Sequence, residues 1–160
     1  MVPALPGKNN KADSEFHFVF PGTPLEIRKA LSHVLTELKP LALSLEEEGT
    51  VELVLAEVLN NIAEHAYCQN PNGLIELRIR PVAGKGLLCS ICDTGLPMPN
   101  GEAPLGQPVN PNCQMQNLPE GGFGWFLIRD LTRDLAYSRK NEKNILSFRI
   151  SVGQPEIQMN

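Results

Sequence analysis

Residues 44–67 read SLEEEGTVELVLAEVLNNIAEHAY, and the fold follows from how that stretch is read. Ser44 with Glu47 three residues on forms a capping box, in which side chain and backbone satisfy each other's free donors at a helix start. From there Val51, Val54, Leu55, Val58, Leu59, Ile62, Ala63 and Ala66 recur at i, i+3, i+4 and i+7. That is the period of a helix with one buried face. The spacing predicts a single long helix, ended by Asn70-Pro71-Asn72-Gly73.

Upstream, Glu15 to Phe20 alternates as a strand, with Phe16, Phe18 and Phe20 on one face. Thr23 then reads as the cap, and Pro24 as the first residue, of a helix ending near Lys39-Pro40. Downstream, Leu74–Pro81 and Leu87–Asp93 read as strands joined by a hairpin at residues 83–86. The second is almost wholly apolar and should lie in the middle of a sheet. Residues 94–119 contain six prolines and no Lys or Arg, too long for a simple connection in a compact domain and so either functional or mobile. A short amphipathic helix follows Gly121-Gly122-Phe123-Gly124, then strands near 135–139 and 145–152 around a turn at 141–144. This order predicts an α+β fold: a two-layer sandwich with a mixed, mostly antiparallel sheet and its helices on one face. The domain should span 14–153, between a loose arm at 1–13 and a tail at 154–160.

The chain has 160 residues and a net charge of −4. An acidic chain without a basic cluster argues against a nucleic-acid partner. No apolar run is long enough for a membrane span, and residues 1–11 lack the apolar core of a signal peptide. A cytoplasmic setting and no membrane contact are therefore expected. Cys89 and Cys92 have C-x-x-C spacing, but three positions apart on a strand they face opposite ways. They read, with Cys68 and Cys113, as reduced thiols and not as a metal or redox site.

Three polar features sit where plain scaffold is otherwise expected. Glu57, Asn61 and His65 lie four apart along one flank of the long helix. A carboxylate one turn from an amide oxygen suits Mg²⁺, which takes a few oxygen ligands plus water and phosphate. Asp93-Thr94-Gly95 follows the apolar strand, placing a carboxylate at the sheet rim and a glycine where a ligand could approach the backbone. Gly122 to Gly124 open a helix, whose first N–H groups attract anions. Singly, each has an ordinary explanation: a solvated helix face, a turn, a glycine hinge.

In this order, however, they resemble the N, G1 and G2 boxes of the GHKL ATPases, which share the Bergerat fold. The run from Glu57 through Asn61 and His65 to Tyr67, with Glu120-Gly-Gly-Phe-Gly-Trp-Phe-Leu-Ile128, is similar to the anti-sigma regulatory factor serine kinases. The resemblance covers residues 15–152. It implies ATP and Mg²⁺ as cofactors, with Asn61 ligating the metal. Glu57 would be the general base toward a serine hydroxyl, and Asp93 the acceptor for the adenine amine, with Gly95 shaping that pocket. The backbone of Gly122, Phe123 and Gly124 would meet the phosphates, and 96–119 would be the ATP lid. His65 and Tyr67 match the motif and read as packing or supporting residues.

The implied function is phosphorylation of a small anti-anti-sigma-type (STAS) antagonist in a bacterial partner switch. A sigma factor would be the alternative partner, and two copies would pair through the first helix and sheet edge. Pro97 stands in place of the second G1 glycine and the lid carries no basic residue, which leaves room for a nucleotide-responsive sequestering module without catalysis. A third reading is an ATP-binding domain serving a histidine on a separate chain. Ser32-His33 with Lys39-Pro40 only faintly resembles a phosphoacceptor box, because Val34 replaces its acidic residue; His33 reads as an ordinary helix histidine.

Overall fold

The computed structural model describes residues 14–106 and 122–153. The expected arm at 1–13, the tail at 154–160, Cys113, Gly121 and positions 107–119 of the lid lie outside the described residues.

Five strands, β1 (Phe16–Pro21), β2 (Leu74–Val82), β3 (Gly86–Asp93), β4 (Arg133–Lys140) and β5 (Lys143–Ile150), form one sheet in the order β1-β2-β3-β5-β4. Every pairing among them is antiparallel, which sharpens the mixed sheet expected from sequence. Helices α1 (Pro24–Glu37), α2 (Leu45–Asn61) and α3 (Gly122–Leu131) cover one face, giving the expected α+β sandwich. The core forms where Ile27, Val34, Val51, Leu55, Leu59 and Ile128 meet Ile75, Leu77, Ile79, Ile91 and Phe148. Leu55 and Leu59 are wholly buried, and truncating either to Ala would cost about 2–5 kcal/mol. No helix among the described residues is long and apolar enough to cross a membrane.

The local signals act as read. Thr23 Oγ1 accepts from Glu26 N at 3.2 Å, with Pro24 opening α1. At α2, Ser44 Oγ accepts from Glu47 N (3.1 Å) while Glu47 Oε2 accepts from Ser44 N (2.9 Å). Glu47 Oε1 also accepts from Gly153 N at 2.9 Å, tying the helix start to the end of the last described segment. These N–H donors, Gly153 first, hold the Glu47 carboxyl below its ordinary range. In β3, Leu87, Cys89, Ile91 and Asp93 face the helices, while Leu88, Ser90 and Cys92 face away. Cys89 and Cys92 thus point to opposite sides, and burial pushes the Cys89 thiol up to about 12.

Two elements differ from expectation. The long helix does not continue evenly to Ala66: α2 ends at Asn61, and Ile62–Ala66 is a π-helical turn with Tyr67 N donating to Ile62 O at 3.0 Å. The wider turn leaves the Ala66 carbonyl facing the strand-end loop, where Leu96 N donates to it at 2.8 Å. Tyr67, buried as expected, donates its hydroxyl to Leu74 O and accepts from Thr94 N at 2.9 Å. The second difference is Asn144, which lies inside β5 opposite Asp93 and not in the turn.

Candidate functional site

A cavity of about 840 Å³ opens between α2 with its π turn, the tip of β3, the loop after it, α3 and the β4–β5 hairpin. That is the size range of small-molecule sites. Its apolar wall includes Val58, Ile62, Met98, Trp125 and Leu146. Its polar groups are few and fall into two sets.

The first set surrounds Asp93, which is 4% exposed. Its Oδ1 accepts from Gly95 N (2.9 Å) and from Asn144 Nδ2 (2.8 Å). Burial pushes the carboxyl up, against the opposing pull of Asn144, the Gly95 N–H and the Arg139 charge. Asn144, equally buried, also donates to Leu96 O at 2.9 Å and Gly95 O at 3.3 Å. Its Oδ1 accepts from the Tyr137 hydroxyl (2.6 Å) and from Arg139 Nη1 (2.7 Å). The Tyr137 hydroxyl in turn accepts from Met98 N at 3.0 Å, and Arg139 donates to Gly95 O at 2.9 Å. Sheet tip and loop are thereby joined through one buried amide.

The second set lies where α2 meets α3. Asn61 is on the cavity wall, yet its Nδ2 is buried with no hydrogen-bond partner among the described residues. Such an orphan costs about 1–3 kcal/mol unless something pairs with it. The Glu57 carboxylate has no hydrogen bond either, among the described residues. A Cβ on Gly124 would fall 2.6 Å from Glu57 Oε2 and 3.5 Å from Asn61 Nδ2, so carboxylate and amide bracket one point at the start of α3, and only glycine leaves it clear.

Of the residues singled out from sequence, Asn61 and Asp93 are on the cavity wall, with Glu57 and Gly124 meeting beside Asn61. Gly122 is the first residue of α3, and Phe123 is half-buried in its first turn. At Gly95, any side chain would overlap the Ala66 carbonyl. His65, expected to be a packing or supporting residue, is exposed and does not pack in the core; it lies on the cavity wall. Sequence reading missed Asn144, Tyr137 and Arg139. It also missed Arg129, which donates from α3 to the Ala103 and Pro104 carbonyls at 2.7 Å each. These bonds hold the first part of the expected lid against the cavity, where Pro104, Leu105 and Gly106 are wall residues.

A smaller depression, about 380 Å³, lies on the outer face of the sheet. Its Arg78 is paired with Glu15 and Glu76, and its Arg149 with Asp134. Those charges are already met, unlike the unpaired groups beside α3.

A buried carboxylate with one oxygen committed and an orphaned amide face one cavity between helices and sheet, beside the glycine-initiated helix α3. Residues 20–150 match the family model described as "Histidine kinase-like ATPase domain", and the chain belongs to that family. The chain is 28% identical over 90 residues to Blue-light-activated histidine kinase 2 of Erythrobacter litoralis (strain HTCC2594), a match covering 56% of this chain and 22% of that protein. It thus spans about a fifth of that relative's length. The solved Erythrobacter litoralis EL346 blue-light activated histidine kinase shares the fold, with a TM-score of 0.52 at 20% identity over 81% of this chain and 41% of that one. A structure of the histidine kinase domain from that EL346 protein matches at 24% identity and a TM-score of 0.45, over 66% of this chain and 44% of that chain.

Proposed function

We propose that this ATP-binding domain is a protein-serine kinase of the anti-sigma regulatory type. In this reading it phosphorylates a small STAS-type antagonist in a bacterial partner switch and holds a sigma factor in the alternative complex. The observation that carries the reading is the unpaired Glu57 carboxylate beside Asn61 and Gly124. A serine hydroxyl must shed its proton as it attacks phosphorus, and a positioned base contributes about 10²–10⁴-fold to such a step. Glu57 is that base.

The donor set suits the cofactors. Asn61 offers an amide oxygen for Mg²⁺ and an N–H₂ group for a phosphate oxygen. Bound Mg²⁺ would supply neutralisation of phosphate charge. The N–H groups of Gly122, Phe123 and Gly124, at a helix start, suit phosphate oxygens. Asp93 accepts the adenine amine, and Gly95 keeps the adjoining loop close to the π turn. The domain works in the cytoplasm, where ATP is supplied, and pairs with a second copy.

A second reading has one observation in its favour, the similarity to a histidine kinase: the domain would then serve a histidine on a separate chain. A third, nucleotide-dependent sequestration without catalysis, is favoured by Pro97 and by the use of Arg129 and Arg139 on loop carbonyls. One experiment separates the three. The chain is incubated with Mg·ATP and either a STAS-type antagonist or a histidine-bearing helical hairpin. Acid-stable phosphoserine on the antagonist, lost in Glu57→Gln, is the expected result. Acid-labile phosphate on the hairpin alone would replace it with the second reading. Nucleotide-dependent capture without any transfer would replace it with the third.

A further inference from the structure

We infer that Asn144 is a positioning residue for base selection: it fixes the Asp93 carboxylate and the adjoining loop so that the cavity takes a purine bearing an amine and rejects one bearing a carbonyl. This rests on the reading of Asp93 as the acceptor for the base.

The inference starts from the orientation of one amide. Oxygen and nitrogen of an Asn side chain are distinguished by their partners, and here the partners leave no choice. Tyr137 and Arg139 approach Asn144 Oδ1 as donors, at 2.6 and 2.7 Å. The acceptors Asp93 Oδ1 and Leu96 O stand at 2.8 and 2.9 Å on the Nδ2 side. A flipped amide would set donors against donors and a carbonyl against a carboxylate. Asn144 therefore presents only N–H to Asp93.

That contact has two consequences. Together with Gly95 N it occupies Asp93 Oδ1, so Oδ2 carries no hydrogen bond from a described residue and is the oxygen left for a ligand. Donation to the ionised form also favours the carboxylate over the acid. A carboxylate can only accept, so the remaining oxygen suits an N–H₂ group and repels a carbonyl. Sites built for one hydrogen-bonding partner discriminate strongly against an analogue that leaves it unpaired.

The same amide links base and loop. Asn144 holds Leu96 O, Arg139 holds Gly95 O, and Tyr137 takes Met98 N. Because Leu96 and Met98 are on the cavity wall, displacement of Asn144 would move the wall and the acceptor together.

The test compares Asn144→Thr with Asn144→Val. The two replacements have nearly the same shape, and only Thr keeps a donor for Asp93. Affinities for ATP and inosine triphosphate, which has a carbonyl in place of the amine, are measured by calorimetry on wild type, both variants and Asp93→Asn. Loss of about tenfold in the ATP:ITP ratio is expected for Val, with recovery of most of it in Thr. An unchanged ratio in Val, or an equal loss of both nucleotides in Val and Thr, would reduce Asn144 to a scaffold residue and overturn the inference. If Asp93→Asn leaves the ratio unchanged, the base-acceptor reading itself fails and the inference falls with it. That outcome is distinct from one in which Asp93→Asn collapses the ratio and Asn144→Val does not. Should Val fail to fold, Tyr137→Phe removes one of the two donors that orient the amide. It should lower the ratio about threefold, and an unchanged ratio would overturn the inference.

Discussion

The two ends of the cavity are finished to different degrees. Around Asp93, the polar atoms of Asn144, Tyr137 and Arg139 are bonded to one another or to the loop backbone. Where α2 meets α3, an amide nitrogen is buried and the nearby carboxylate is unbonded, both without a partner among the described residues. The difference teaches a division of labour. The sheet end is preorganised, so its shape does not wait for a ligand. The helix end carries polar groups that no described residue pairs, where a ligand could find open partners.

The hardest blow to this contrast would come from Glu57. In Glu57→Gln, phosphotransfer to the antagonist should fall about 10²–10⁴-fold, with the ATP dissociation constant almost unmoved. Single-turnover transfer of labelled phosphate measures it, and a wild-type rate would remove the helix end from the chemistry. Next comes Asn61→Leu, which should act in opposite directions. The ligand-free domain should become more stable by about 1 kcal/mol as a buried orphan disappears. The stabilisation by saturating Mg·ATP, about 2.7 kcal/mol at a hundredfold excess over the dissociation constant, should vanish. Thermal unfolding with and without nucleotide reads both.

At the sheet end, Asp93→Asn should weaken ATP about tenfold and change its pH profile. Burial raises the folded pKa of Asp93, so the ionised acceptor is present above that raised value and is lost as pH falls through it. The loss begins at a higher pH than an ordinary Asp would give. Because His65 shares the cavity and Arg139 and Tyr137 face the same network, the profile is taken as wild type minus Asp93→Asn. A flat difference would mean that Asp93 does not meet the base. The smallest effect belongs to a control outside the cavity. Glu47→Gln should cost about 1 kcal/mol of stability through the weakened cap, with ATP affinity intact. Its folded pKa is lowered, so the wild-type contribution is present above the ordinary Glu range and is lost as pH falls through the lowered value. The variant should lack that acid-dependent loss in thermal melts.

Much of the scaffold was legible because it rests on periodicity. Val51, Val54, Leu55, Val58 and Leu59 had to share a helix face, and all are buried. Alternation along β3 separated Cys89 from Cys92 and put Asp93 on the helix side. The motif also gave Asn61 and Asp93, which one cavity brings together. The sheet-end network was not legible for a physical reason: an Asn two residues past a turn has the composition of the turn itself. Only the register, with Asn144 opposite Asp93, shows its task. The arginines escaped similarly, since Arg129 and Arg139 bind backbone carbonyls, which leave no mark in sequence. The exposure of His65 on the cavity wall was not legible either, because its place depends on the π turn that carries it.

That turn also sets a phase. An α-helix rotates by about 100° per residue, so winding residues 62–66 as a regular α-helix, with no residue removed, would turn everything after them out of phase. Tyr67 would leave its place between the start of β2 and the loop after β3, and the Ala66 carbonyl would turn from Leu96 N. The wide turn thus absorbs a supernumerary residue, and Tyr67 N keeps its bond to Ile62 O across it.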